Sequence, residues 1–245
     1  MTFSSIPFLI AAILLALYLF ARRARMDGRI SGNEQAVFSG YLLVVAVWSL
    51  VSAYLAWSGA YVTQAALALM PGLWLNLVPL VLALPFLAGS VAFRHALIGI
   101  ADHTPDHWFV YLQALRIFAV GTMIETARGT FPLYFELGLG ITDLVFGLSA
   151  LFVAPAVRAG RMSPRALGIW HLIGFAIIAL PAGLLTQMGL PGPIFVFDTP
   201  PTAEALFAFP MALAPTVAVP LLILVNLWIG LRLLWRQGAV SARHV

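Results

Sequence analysis

Two residues stand where charge is costly and chemistry is therefore possible. Arg116 lies about nine residues into an apolar run and follows Gln113 by one helical turn. A guanidinium at that depth costs roughly 2.5–3.5 kcal/mol on insertion scales, so it should face the bundle interior or water. It would then contact an anion or a polar substrate. The competing account is that Arg116 snorkels to the nearer interface, because helical side chains lean toward the N-terminus. Asp143 sits in the next run, in the segment Gly138-Leu-Gly-Ile-Thr-Asp143, with Thr142 beside it. In a hairpin of the two runs Asp143 falls near the level of Gly121, about 7–8 Å beyond Arg116 at a rise of ~1.5 Å per residue. A direct ion pair or a link through water or substrate would join them. A structural aspartate bonded to Thr142 or a neighbouring helix is the alternative. Glu125 and Arg128, three apart, are expected to pair locally at an interface.

Five histidines raise the questions of metal and haem. His103 and His107 are four apart, but Pro105 between them breaks the geometry that would put both on one helix face. The histidines are too few for the boxes of a membrane di-iron enzyme, and no metal site or catalytic set is expected. His95 and His171, near the same ends of two apolar runs, are the pair that could hold a b-type haem. Interfacial or hydrogen-bonding histidines are the plainer account. Prolines inside apolar runs free backbone carbonyls, as at hinges and ion sites in transporters. Pro79 and Pro85 share one run, Pro181 lies in another, and Pro210, Pro215 and Pro220 fall in the last. Pro79, Pro85, Pro215 and Pro220 are the hinge candidates, with ordinary kinked packing as the alternative.

The elements that must position these residues follow from composition. Of 245 residues, 62% are apolar and 9% charged. A soluble domain would carry about a quarter charged residues, so this chain belongs in lipid. Apolar runs at residues 4–21, 36–57, 73–93, 107–126, 137–156, 167–187 and 207–231 predict an all-α bundle of about seven spans in one integral membrane domain. Every basic residue is Arg. Eleven of the 13 fall at the same ends of the runs, with Arg128 opposite and Arg116 within a run. That distribution is the positive-inside pattern and not a nucleic-acid surface, and it predicts an outside N-terminus and a cytoplasmic C-terminus. The run at 5–20 precedes its charges, Arg22, Arg23 and Arg25, the reverse of a cleavable signal. Without lysine no retinal Schiff base can form, and without cysteine there is no disulfide or thiolate chemistry. Thr104 before Pro105, and Thr199 before Pro200, read as helix starts.

Spans one to three and five to seven share direction, a basic loop after the first member and a longer loop before the third. This suggests two parallel three-helix repeats joined by span four, the arrangement of SWEET-type sugar transporters, as an architectural analogy only. From Gln113 onward the chain resembles a widespread group of uncharacterised bacterial multi-pass proteins. The resemblance rests on Gln113-Ala-Leu-Arg116, Phe131-Pro132, Gly140-Ile-Thr-Asp143, Trp170-His-Leu-Ile-Gly174 and the Pro210, Pro215, Pro220 segment. It covers a little over half the chain, and members often carry His where this chain has Asn226. It implies a bacterial cytoplasmic (inner) membrane location and no stated activity. The leading expectation is a transporter or channel for a small polar or anionic solute, lined by Gln113, Arg116, Thr142 and Asp143. A non-catalytic subunit of a larger, for example energy-transducing, membrane complex is the second. A haem-binding or enzymatic membrane protein is the third. The lipid bilayer is the expected partner, with a homo-oligomer or larger membrane complex open.

Overall fold

The computed structural model describes residues 5–241; it is 81% helical and has no strand among them. Among the described residues, seven helices are long and apolar enough to cross a membrane: α1 (Ile6–Met26), α2 (Gly32–Trp57), α3 (Pro71–Gly89), α5 (Asp106–Ala127), α6 (Leu133–Arg158), α7 (Pro164–Met188) and α8 (Ala214–Arg236). A further helix, α4 (Val91–His103), stands between α3 and α5. The chain is therefore a multi-pass membrane protein. Arg243 lies outside the described residues.

Local chemistry sets the helix starts. Ser31 and Glu34 form a reciprocal capping box at α2. The Ser163 hydroxyl accepts from the Ala166 amide ahead of α7, with Pro164 in the first turn where its missing amide costs nothing. The third run does not continue to residue 93 as its apolarity suggests. It stops at Gly89, and Ser90 accepts from the Phe93 amide at 3.1 Å to start α4. Arg94 turns back to donate to the Leu87 and Ala88 carbonyls at 2.6 and 3.2 Å, satisfying the end of α3. Thr104 closes α4, and Pro105 takes the cap position of α5. The run expected from residue 207 begins as a span only at Ala214, because Ala203–Phe207 forms a separate 3-10 turn capped by Thr202. Pro210 therefore precedes α8.

The last span is the centre of the bundle. In its most apolar window 61% of residues are buried, against 22–39% in the other six. α7 packs along it through paired glycines: a Cβ at Gly168 would lie 3.2 Å from the Gly230 carbonyl, and one at Gly230 would lie 3.1 Å from that of Gly168. Close backbone approach of this kind substitutes for the hydrophobic drive that lipid removes. At the hollow end of the bundle, defined below, α2 is tied to α8 by Ser52 and Thr216, whose hydroxyls are 2.7 Å apart, and by Trp48 Nε1 donating to the Thr216 carbonyl at 3.1 Å.

The two ends differ. The basic end gathers Arg22, Arg23, Arg25, Arg158, Arg232 and Arg236, and the end of α4 is tied into it. From α4, His103 Nε2 sits 2.9 Å from Asp27, and Asp102 is gripped by Arg232 and Arg236. At the other end the helices are irregular. α3 contains a 3-10 turn at Leu75–Leu77, α5 one at Ala114–Ala119, and α6 a π-helical stretch at Glu136–Gly140. α7 breaks at Pro181, and α8 opens with π-helical Ala214–Ala218.

Candidate functional site

Arg116 is 3% exposed and does not snorkel. Its Nε donates to Gln113 Oε1 at 3.1 Å, Nη1 to Asp143 Oδ1 at 3.0 Å and Nη2 to the Gly174 carbonyl at 3.0 Å. Its Cζ lies 4.8 Å from the Phe146 ring centroid, and that ring stacks on Trp170. Gln113 in turn donates to the Leu222 carbonyl at 3.3 Å. One guanidinium thereby joins α5 to α6 and α7 directly, and to α8 through Gln113.

The direct ion pair has a geometric reason. Gly147 lets α5 approach so closely that a Cβ there would lie 2.9 Å from Arg116 Cβ and 2.8 Å from the Ile117 amide nitrogen. Arg116 is thus level with Gly147, one helical turn below Asp143, and a side chain of arginine's length crosses that gap. A register read from a simple hairpin places the aspartate further away.

Above the pair the bundle is hollow. A cavity of about 390 Å³ is lined by α1, α3, α5, α6, α7 and α8 and by the segment before α8. That volume is in the range of small-molecule sites. Its walls are mainly apolar, with Phe118, Phe135, Leu139, Ile178, Leu222 and Ile223, while Asn76, Thr122, Glu125, Thr186 and Asp143 supply polar groups. All the lining residues lie in the half of the bundle away from the basic end, and Arg116 and Asp143 mark the cavity floor. Asp143 lines the cavity: its Oδ1 is held by Arg116, and Oδ2 makes no hydrogen bond within the described residues.

The other candidates separate. Pro210, Pro215 and Pro220 line the cavity. Pro215 sits in the first turn of α8, where it displaces no helical bond. Pro79 likewise lies in the first turn after the 3-10 segment, and its carbonyl accepts from Tyr41 at 3.3 Å. Pro85 is the proline inside a regular helix of α3. Thr142 donates to the Leu139 carbonyl at 2.8 Å and does not line the cavity. The two histidines are not brought together. His95 has an exposed side chain, its Nδ1 3.4 Å from Glu34, whereas His171 is fully buried with Nδ1 2.6 Å from Asn226 Oδ1. Neither lines the cavity. Glu125 and Arg128 pair at 2.8 Å at the hollow end.

Sequence spacing does not single out Glu136. It is 3% exposed, and neither carboxyl oxygen has a hydrogen-bond partner. By hydropathy the apolar run opens at residue 137, but α6 begins at Leu133 and draws Glu136 inside the span. The available signal was Pro132, which favours a helix starting just after it.

Fold and site together define a seven-span helical membrane protein with a one-sided polar-floored cavity. The model of the family described as a domain of unknown function, DUF8737, matches residues 72–234, about two thirds of the 245, and the chain belongs to that family. The match runs from α3 into α8 and takes in every polar residue of the cavity except Ser5. No curated protein and no solved structure matches the chain.

Proposed function

We propose that this protein is a membrane transporter for a small solute, in a state open toward the end opposite its arginines. The observation that carries this reading is the cavity confined to one half of the bundle, floored by a buried ion pair, over a half that is closed. Occupied alternately from either side, such a site moves solute without a continuous pore. The arginine distribution supports a cytoplasmic basic end with the cavity facing outside, and the resemblance to bacterial multi-pass proteins supports a bacterial cytoplasmic membrane.

The wall chemistry refines the solute. Three nitrogens of Arg116 are already engaged by Gln113, Asp143 and Gly174, so an anion would have to displace an aspartate. The free oxygen of Asp143 and the carboxylate of Glu125 instead suit a solute that donates hydrogen bonds or carries positive charge. The apolar walls suit one with an apolar body.

The natural absence of cysteine makes the test direct. Single cysteines at Ala119 and Ala182 on the wall, and at fully buried Ala150 beneath the pair, are treated in vesicles with a membrane-impermeant thiol reagent from each side. Transport predicts reaction of the wall positions from the hollow end and of Ala150→Cys from the basic end. Labelled walls with Ala150→Cys inert from both sides would reassign the cavity to a non-transporting protein such as a complex subunit. Unreactive walls would refute the cavity as a solute site.

A further inference from the structure

We propose that Glu136 is a proton-binding site behind the cavity wall, holding its proton in the structure described and exchanging it with the cavity. The inference rests on the cavity being an accessible functional site and not on net transport. An ionised carboxylate in the interior of a membrane protein demands donors or a positive partner. Glu136 has neither, since both oxygens are buried and unpartnered.

The surroundings fit the acid and not the carboxylate. The carboxyl folds over Gly140, where a Cβ would lie 2.3–2.4 Å from its Cδ and both oxygens. Only glycine leaves that space, and Gly140 itself lines the cavity. Beside the carboxyl stands Thr122, but its hydroxyl hydrogen is spent on the Ala119 carbonyl at 2.7 Å. With that hydrogen spent, Thr122 is not a donor that could steady an ionised Glu136. The backbone here is the π-helical turn Glu136–Gly140, a widened turn often found at functional sites.

The charged and titratable groups around it are few. Asp143, two turns along the same helix, adds negative charge and is committed to Arg116. Tyr134 is on its own helix. Glu125, from α5, is held by Arg128 and Thr130. α7 approaches through Leu185 at Gly138, and the stretch Ala182–Met188 has no titratable side chain. No group of three or more His, Cys, Asp or Glu able to hold a metal occurs among the described residues. Loss of the proton to cavity water would leave a second carboxylate beside Asp143. That charge would favour a cationic or donor-bearing solute, so binding of proton and solute would be linked.

The test is infrared spectroscopy of the full chain in lipid nanodiscs, which needs no knowledge of the solute. At neutral pH the wild type should show the carbonyl stretch of a protonated, weakly hydrogen-bonded carboxyl. The band should be lost in Glu136→Gln and retained in Glu125→Gln. Labelling Ala119→Cys in the cavity with a bulky impermeant maleimide should slow deuterium exchange of that band several-fold. Should Glu136→Gln not fold, Glu136→Asp should shift the band, since the shorter arm cannot lie over Gly140. A neutral-pH spectrum with no such band, or a band that both Glu136 variants leave in place, would overturn the assignment. Exchange unaffected by the label would overturn the route through the cavity.

Discussion

The basic end and the hollow end of this bundle satisfy their polar groups in opposite ways. At the basic end the capping side chains are polar and local: Ser31 with Glu34, Ser163, and Arg94 on the carbonyls that end α3. Exposed ion pairs then tie α4 to the loop after α1 and to α8. At the hollow end the backbone departs from α-helical geometry in five spans, and buried polar atoms lack partners at Asn76, Tyr134, Glu136 and Gln187, against His171 Nε2 and Asn226 Nδ2 in the other half. Unpaired polar groups in a membrane interior are destabilising. Four of the six residues with such atoms lie in the half that holds the cavity, and Asn76 lines it. The Arg116 cluster is the boundary between the two regimes.

Removing that boundary should have the largest effect. Arg116→Leu leaves Asp143 without its partner and the Gln113 oxygen unmet. Breaking a buried pair from one side costs roughly 3–5 kcal/mol. The expected result is a large drop in thermal unfolding temperature in detergent or nanodiscs. Part of it should be recovered in the double variant Arg116→Leu with Asp143→Leu, where no charge is stranded. A double variant worse than the single would show that the pair does not act as a unit.

Glycines offer a sharper version of the comparison, because the same substitution should have opposite signs in the two regimes. A Cβ at Gly174, in the packed layer, would lie 2.0 Å from Phe146 Cζ and 2.6 Å from Asn226 Nδ2. Gly174→Ala should therefore destabilise by about 1–3 kcal/mol, the usual cost of overpacking. Gly121 lines the cavity and has nothing within 4 Å of its Cβ position. Gly121→Ala should stabilise by about 0.5–1 kcal/mol through its effect on helix entropy. Unfolding of the two variants side by side decides the matter, and equal signs would mean that the hollow half is packed like the rest.

Much of the closed half was legible in the sequence, and little of the open half. Helix-long apolar runs and arginines at one set of ends reported the spans and the basic face directly. Arg116 and Asp143 announced themselves because charge within an apolar run is rare. Glu136 did not, because it stands one residue outside the run as hydropathy defines it, and only the start of α6 at Leu133 places it inside. The 3-10 and π-helical turns that open the cavity have no composition of their own. Nor did apolarity reveal α4, since Val91–His103 continues the hydrophobic character of α3 and is separated from it only by the Ser90 cap. The direct Arg116–Asp143 contact depended on Gly147, whose role is visible only when two helices are set against each other.

The smallest effect should come from the seal at the basic end, and its pH dependence is the informative part. Burial alone would raise the pKa of Asp102, but hydrogen bonds from Arg232 and Arg236 and their charges outweigh it and hold the value below the ordinary 3.8. A carboxylate with a lowered folded-state pKa adds stability above its unfolded value, and that contribution disappears as pH falls through the folded one. Asp102 has a side chain 37% exposed, so after solvent screening the contribution is at most about 1 kcal/mol. Asp102→Asn should accordingly unfold slightly below wild type at neutral pH, and the two melting curves should converge as pH drops below 3.8. Curves that stay apart in acid would place the stabilisation in the shape of the side chain and not in its charge. Such a result would mean that the basic end, like the Gly168–Gly230 crossing, is closed by packing, leaving the arginines there to answer to lipid alone.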